Sequence, residues 1–182
     1  KGQATVHNLD EALLAFGHFK GEHCVLEQRL TLDYEVSVVL ARDEQGRVAC
    51  FPTGENQHTK GILDVSIVPA RTTGCVRSDA EDVAARIAEK LGYIGTMGVE
   101  FFISRGQLIV NEMAPRPHNS GHYTIDACIT NQFQQQQRVI CGLPPGDPSQ
   151  HTPAVMVNLL GDIWPAPTTH PDWSPVLNHP RA

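Results

Sequence analysis

Between Leu108 and Ala127 the chain reads LIVNEMAPRPHNSGHYTIDA. An apolar, strand-like run ends on Glu112, the chain leaves through Pro115, Arg116, Pro117 and His118, and a small polar loop leads into a helix-like run. An acid, a guanidinium, two imidazoles and an amide therefore surround one strand-to-helix turn. The chemistry open to such a group is the handling of an anion beside a metal. Mg2+ takes one or two carboxylates from a protein and fills its shell with substrate phosphates and water. Arg116 offers a planar fork for carboxylate, bicarbonate or phosphate, and the backbone N–H groups of residues 120 to 122 lie near an expected helix N-terminus, a place suited to anions. Each residue also has an ordinary explanation. His118 and His122 read equally as hydrogen-bonded structural imidazoles, and Asn119-Ser120-Gly121 as a capped turn. A His-x-x-x-His zinc pair stays open too, although it lacks helical context and a clear third ligand.

A second acid enters through the preceding run. GVEFFIS (98 to 104) and QLIVNEM (107 to 113) flank Arg105-Gly106 and read as a hairpin. If a three-residue loop closes on Gly106, Ile103 pairs with Gln107 and Glu100 falls opposite Val110. Glu112 is then the diagonal neighbour of Glu100 on the same face, about 7–8 Å away between Cα atoms. A two-residue loop puts the acids on opposite faces. Two carboxylates sharing a face call for a cation or a proton between them, and a magnesium nucleotide is the natural candidate. From the hairpin alone, two solvated glutamates explain the pattern as well.

The elements that must hold these residues follow from periodicity. DEALLAFGHF (10 to 19) has helical spacing behind an acidic first turn. HCVLEQRL (23 to 30) and YEVSVVLARD (34 to 43) read as strands, the second alternating Val36, Val38 and Leu40 against Glu35, Ser37 and Val39. VACFPT and ILDVSIVPA continue the strand-rich run. The period then changes: Ser78 and Glu81 read as a capping box, Val83, Ile87 and Leu91 as one helical face, and Gly92 as the stop. A further long helix is predicted from about Ile125 to Ile140, with Ile125, Ile129 and Phe133 on one side and its glutamines solvated. AVMVNLL (154 to 160) reads as one more strand, and the Pro-rich run from Trp164 to Pro180 as extended loop or an incomplete second domain, with no helix.

Composition sets the outer bounds. A chain of 182 residues with 41% hydrophobic content can build one substantial core. Its net charge of −6, from 14 basic and 20 acidic residues, argues against a broad nucleic-acid surface. The five cysteines show no Cys-x-x-Cys spacing and read as reduced, mostly buried thiols, which favours a cytoplasmic location. No apolar run approaches the roughly 20 residues that span a bilayer, and no signal-peptide pattern is visible, so no membrane partner is expected. The opening KGQ, without an initiator Met, suggests a piece of a longer protein.

The segment NEMAPRPHNSGHYTIDACITNQFQQQQRVICGLP (111 to 144) resembles the signature segment of the N5-carboxyaminoimidazole ribonucleotide synthases, ATP-grasp enzymes of purine biosynthesis. The resemblance extends through LEQRLTLDYEVSVVLARD, FPTGENQHTKGIL and LGYIGTMGVEFF, so it covers nearly the whole chain. The related formate-dependent glycinamide ribonucleotide transformylases share the Pro-Arg-Pro-His turn but continue with Asp-Thr-Gly, where this chain has Asn-Ser-Gly-His. The resemblance implies an α+β ATP-grasp fold, a mostly antiparallel sheet flanked by helices. It implies a lid remnant over residues 1–26, a main subdomain over 27–148, and the start of a C-terminal β-rich domain over 149–182.

By the same resemblance Glu27, Gln28, Arg29 and Leu30 form the hinge at the adenine edge, Glu35 meets the ribose hydroxyls, and His58 approaches the phosphates. Lys1, Gly2 and Gln3 are the end of a glycine-rich loop over the phosphates. Glu100 and Glu112 hold Mg2+, with Asn111 beside the nucleotide, and Arg116, His118 and Asn119 serve the second substrate. The implied reaction uses ATP and bicarbonate to carboxylate 5-aminoimidazole ribonucleotide through carboxyphosphate, in a homodimeric intact enzyme. A sibling ATP-grasp ligase and a non-catalytic nucleotide-binding module are the competing readings. The family carries further domains on both sides of this stretch, so residues 1 to 182 alone are expected not to turn over and to have marginal solubility.

Overall fold

The computed structural model describes residues 2–164, 166 and 169–180, and the chain divides into two compact units, residues 1–32 and 33–182. Lys1 lies outside the described residues.

The first unit contains helix α1, Leu9–His18, where the apolar spacing predicts one. Asn8 caps it, its side chain accepting the Glu11 N–H at 2.9 Å, while the Glu11 carboxylate accepts the His7 N–H at 2.8 Å. Residues 23–30, predicted as a strand, have no regular structure. A strand needs a hydrogen-bonded neighbour, none of the described strands pairs with this segment, and Val25 and Leu26 stand in solvent.

The second unit is built on a seven-stranded sheet. Its strands are β1 (Tyr34–Arg42), β2 (Val48–Cys50), β3 (Gly54–Thr59), β4 (Ile62–Val68), β5 (Gly95–Ser104), β6 (Gln107–Ala114) and β7 (Ala154–Val157). The order is β6-β5-β1-β3-β4-β7, with β2 paired to the end of β1, and every pairing is antiparallel. β7 lies within the stretch expected to open a further domain, yet it hydrogen-bonds to β4.

The sheet has two unlike faces, because successive residues of a strand point to opposite sides. On one, Val36, Val38 and Leu40 of β1 and Met97, Val99, Phe101 and Ile103 of β5 pack against helix α2, Gly74–Lys90. The helix contributes Ala80, Ala84 and Ala88, all fully buried, and small side chains let it lie close to the sheet. Val83 and Ile87 flank this core, whereas Leu91 is more than half exposed, so the buried stripe is one step round from the predicted one. The helix also starts earlier than predicted. Thr73 is its N-cap, and Ser78 and Glu81 sit inside it, with the Glu81 carboxylate accepting the Thr53 hydroxyl at 3.1 Å. Gly92, at φ 58, is the stop as predicted.

On the opposite face Val39, Phe51 and Val68 pack against Tyr123, Ala127 and Cys128, and that face also carries Glu35, Ser37 and Glu100. The covering segment is not one long helix but two, α3 (Thr124–Ala127) and α4 (Gln132–Ile140). The break has a local cause: the Ile129 and Thr130 N–H groups donate to Ser149 and Asp147 carbonyls, and Asn131 restarts the helix with a capping box to Gln134. Ile125, Ile129 and Phe133 face solvent; Gln134 and Gln137 are exposed as expected, whereas Gln132 and Gln135 are fully buried, contrary to expectation. In the Pro-rich run Ser174–Leu177 forms a one-turn helix, α5, with Pro175 in its first turn, where no N–H is needed. Of the cysteines, all free, only Cys128 is buried, contrary to expectation. No helix among the described residues is long and apolar enough to cross a membrane.

Because Ala84 is fully buried between α2 and the sheet, Ala84→Leu overpacks the interface. It should destabilise the protein by about 1–3 kcal/mol, read as a lower urea midpoint at unchanged slope.

Candidate functional site

The β5–β6 hairpin closes on a two-residue turn, Arg105 at φ 51 and Gly106 at φ 72, between the paired residues Ser104 and Gln107. Both left-handed conformations match the turn type that suits the twist of a hairpin. The expected three-residue loop is therefore absent, and this register alone would place Glu100 and Glu112 on opposite faces. A β-bulge reverses that outcome. Phe101 pairs with Val110, but Glu100 pairs with Glu112, so Asn111 is an extra residue that returns Glu112 to the face of Glu100. The two acids are directly opposite one another rather than diagonal.

The same face carries more of the predicted residues. Ser37 of β1 pairs with Glu100, and Glu35 follows two residues along, opposite Asn56 of β3. His58 Nδ1 lies 2.9 Å from Glu35 Oε2, an ion-pair contact rather than an aligned hydrogen bond. The Glu35 carboxylate raises the His58 pKa against the opposing effect of burial, and the charges of Glu100 and Glu112 add to the rise. Glu100 is nearly buried, and burial raises its pKa; His58 lowers it, while Glu112 and Glu35 push it up further.

The turn after β6 brings His118 to the acids. Ligand atoms of Glu100, Glu112 and His118 lie within 4.8 Å of one another, and His118 Nε2 is 3.6 Å from Glu100 Oε1. Burial, with the nearby charges of Arg116, His122 and His58, pushes the His118 pKa down to about 4, so the ring is neutral near pH 7 and its contact with Glu100 is not an ion pair. His118 Nδ1 is tied to the turn, 2.9 Å from Ser120 Oγ and 3.4 Å from the Ser120 N, which leaves Nε2 as the ring atom that faces Glu100. The two carboxylates are a hard oxygen pair that fits Mg2+ completed by phosphate and water, with His118 Nε2 beside them.

Other predicted residues stand outside this cluster. Arg116 is exposed, and its Nη1 donates to the Pro117 carbonyl at 3.0 Å. Asn119 Oδ1 accepts the Ser120 N–H at 3.0 Å. The Gly121 and His122 N–H groups, expected to face an anion, donate instead to the His118 and Asn119 carbonyls within a 3-10 turn, Asn119–Gly121. His122 is exposed and stacks on Phe133 with centroids 6.1 Å apart, so the His-x-x-x-His pair does not converge. Asn111 is exposed at the bulge. Gly2, Gln3, Glu27, Gln28, Arg29 and Leu30 belong to the first unit and lie in irregular chain.

Sequence reasoning passed over Gly98 and Gln132. A Cβ on Gly98 would stand 2.8 Å from the His118 Cβ, so the ring has its place because β5 carries no side chain there. The signal available was a glycine inside a strand pattern, which marks close approach.

The fold has counterparts among known proteins. The ATP-grasp domain family matches residues 1–133, and the chain belongs to that family. Within it, the chain is similar to N5-carboxyaminoimidazole ribonucleotide synthases. It is 44% identical over 163 residues to the one from Bacillus subtilis, covering 89% of this chain and 43% of that protein. Among solved structures it resembles an ADP complex of N5-carboxyaminoimidazole ribonucleotide synthetase, with a TM-score of 0.84, 43% identity, and coverage of 90% of this chain and 44% of that one. It also resembles the Aspergillus clavatus synthase in complex with ADP and 5-aminoimidazole ribonucleotide, with a TM-score of 0.71, 29% identity, and coverage of 74% and 37%. The chain spans less than half the length of these relatives.

The raised pKa of Glu100 has a testable sign. A carboxyl whose folded pKa lies above its unfolded value favours folding when protonated, and that advantage is lost as pH rises through the folded pKa. Glu100→Gln should therefore melt higher than wild type at neutral pH, with the difference closing as pH falls below about 4, where the acid becomes protonated in both states. Added Mg2+ should raise the wild-type melting temperature and leave Glu100→Gln and Glu112→Gln unmoved. A response in both variants equal to wild type would refute the cation assignment.

Proposed function

We propose that the whole protein is an ATP-grasp ligase that carboxylates 5-aminoimidazole ribonucleotide with bicarbonate, giving N5-carboxyaminoimidazole ribonucleotide in purine biosynthesis. The observation that carries the reading is the Glu100–Glu112 pair, set face to face by the bulge at Asn111 and joined by a Pro-Arg-Pro-His turn whose imidazole meets the acids. The likeness to the synthases supports it across most of the chain.

In this reading Glu100 and Glu112 hold Mg2+, which when bound neutralises charge on the nucleotide phosphates. Asn111 stands beside the nucleotide. Glu35 accepts hydrogen bonds from ribose hydroxyls, and His58, whose pKa the neighbouring carboxylates raise, donates toward the phosphates. Glu27, Gln28, Arg29 and Leu30 border the adenine, and Lys1, Gly2 and Gln3 close over the phosphates. Arg116 offers its fork to bicarbonate. His118, neutral and facing Glu100 through Nε2, lines the place where bicarbonate and the acceptor amine meet, with Asn119 at its side. Positioning two substrates against the phosphates, out of water, supplies the rate, and the step proceeds through carboxyphosphate. Residues 1–26 and 27–148 act as lid remnant and main subdomain, with residues from 149 opening a C-terminal domain. The intact protein works as a cytoplasmic homodimer.

The deciding experiment measures ADP release by the full-length protein with bicarbonate, formate and 5-aminoimidazole ribonucleotide offered separately and together. Release should need bicarbonate and the ribonucleotide jointly; formate-dependent release would identify a transformylase, and no release with any acceptor a binding module. Arg116→Ala and His118→Ala should each lower the bicarbonate-dependent turnover by roughly 10²-fold while ATP affinity changes little.

A further inference from the structure

Gln132 is the first residue of α4 and is fully buried, although glutamine is mostly a surface residue. Both ends of its amide bond to the backbone of one residue, His118. The His118 N–H donates to Gln132 Oε1 at 2.9 Å, and Gln132 Nε2 donates to the His118 carbonyl at 2.7 Å. This is the two-way exchange that one strand makes with its neighbour, performed here by a side chain. The clamp is itself fixed. Gln132 N–H donates to Thr124 Oγ1 at 3.1 Å, that hydroxyl donates to the Gly121 carbonyl at 2.6 Å, and the Gln132 carbonyl accepts from Thr96 Oγ1 of β5 at 3.2 Å. Gly121 makes room for it, since a Cβ there would stand 2.6 Å from Gln132 Oε1. On the other side Gly98 brings β5 against the His118 ring. The residue is thus gripped by its backbone and packed by its ring.

We infer that Gln132 is a positioning residue of the site: its amide fixes the His118 backbone so that the imidazole edge stands against Glu100, and it thereby holds the Arg116 to Asn119 turn beside the acid pair. The inference rests on the reading of that turn as the place of the second substrate. Few side chains could do the task. It needs a donor and an acceptor on one planar end, at a reach that asparagine lacks. Leucine would leave the His118 N–H without its partner in the interior and the His118 carbonyl with the Gly121 N–H alone, and an ionised carboxylate would set an acceptor against that carbonyl.

The test uses the full-length protein with Gln132→Leu and Gln132→Glu. Gln132→Leu should lower kcat for bicarbonate-dependent ADP formation about tenfold or more, with KM for ATP within about twofold. By NMR, the His118 amide should lose hydrogen-exchange protection by on the order of 10²-fold, while amides in the centre of β1 keep theirs. Gln132→Glu should recover activity relative to wild type as pH falls, because the introduced carboxyl donates and accepts only when protonated and burial raises its pKa. A residue that merely supports the fold would lower the melting temperature without the ATP-sparing split or the recovery at low pH. Wild-type kcat and wild-type His118 protection in Gln132→Leu would overturn the inference, as would equal loss of ATP affinity and turnover. Should Gln132→Leu fail to fold, a pH profile of Gln132→Glu parallel to wild type overturns it instead. If wild type shows no bicarbonate-dependent turnover, the proposed reaction falls, and exchange at the His118 amide still decides whether Gln132 positions the turn.

Discussion

Two carboxylates facing each other across an antiparallel pair repel, and the arrangement around Glu100 and Glu112 follows from that repulsion. Glu112 lies on the edge strand and is exposed, so water screens it, whereas Glu100 is nearly buried and has no such relief. What the fold supplies is partial compensation. His58 lies against Glu35, whose carboxylate raises the histidine pKa and so favours its charged form, and His118 turns a neutral ring toward Glu100. Neither group cancels the negative charge. The face keeps a surplus of negative charge, which a divalent cation would offset.

Holding like charges in place requires a backbone that cannot give way, and the turn after β6 shows how this is done. The chain leaves the edge strand through two prolines, which restrict it, and is then caught at His118 by the buried amide of Gln132. The break between α3 and α4 belongs to the same device. A continuous helix through Asn131 would carry Gln132 into a helix interior, whereas the new N-terminus aims its side chain back at the turn. The segment that sequence periodicity reads as one amphipathic helix is thus interrupted where a polar clamp is needed.

Much of this was legible in the sequence, and the failures have physical causes. The existence of β1, β2, β4, β5, β6 and α2 followed from period and punctuation, since alternation and helical spacing are local properties, whereas β3, GENQHT, has no apolar alternation and was not expected. Which face a helix buries is not local: α2 uses its alanine stripe because the sheet is close, although Val83, Ile87 and Leu91 make the stronger apolar pattern. The strand predicted over residues 23–30 has suitable residues but no neighbour to pair with. The acid pair is the instructive case. The loop length was misread, the register derived from it was wrong, and yet the acids share a face because Asn111 adds one residue. A bulge leaves no periodic trace, and an asparagine inside an apolar strand was its only sign. Gln132 was hidden for a similar reason, because a glutamine among glutamines looks like solvated surface until its two backbone partners are seen.

The position of the bulge also explains why site and core can coexist on one hairpin. β5 pairs on both sides, with β1 and with β6, and its odd-numbered residues from Met97 to Ile103 fill the apolar layer under α2. An extra residue in β5 would disturb both ladders and turn Val99 or Phe101 out of that layer. β6 is an edge strand with a single ladder, so an inserted residue there bends one margin of the sheet and leaves the core register intact. The central strand can then follow strict alternation, with Val99 and Phe101 facing α2 and Glu100 facing the site. The irregularity needed to bring the second acid round is confined to the margin where the sheet tolerates it.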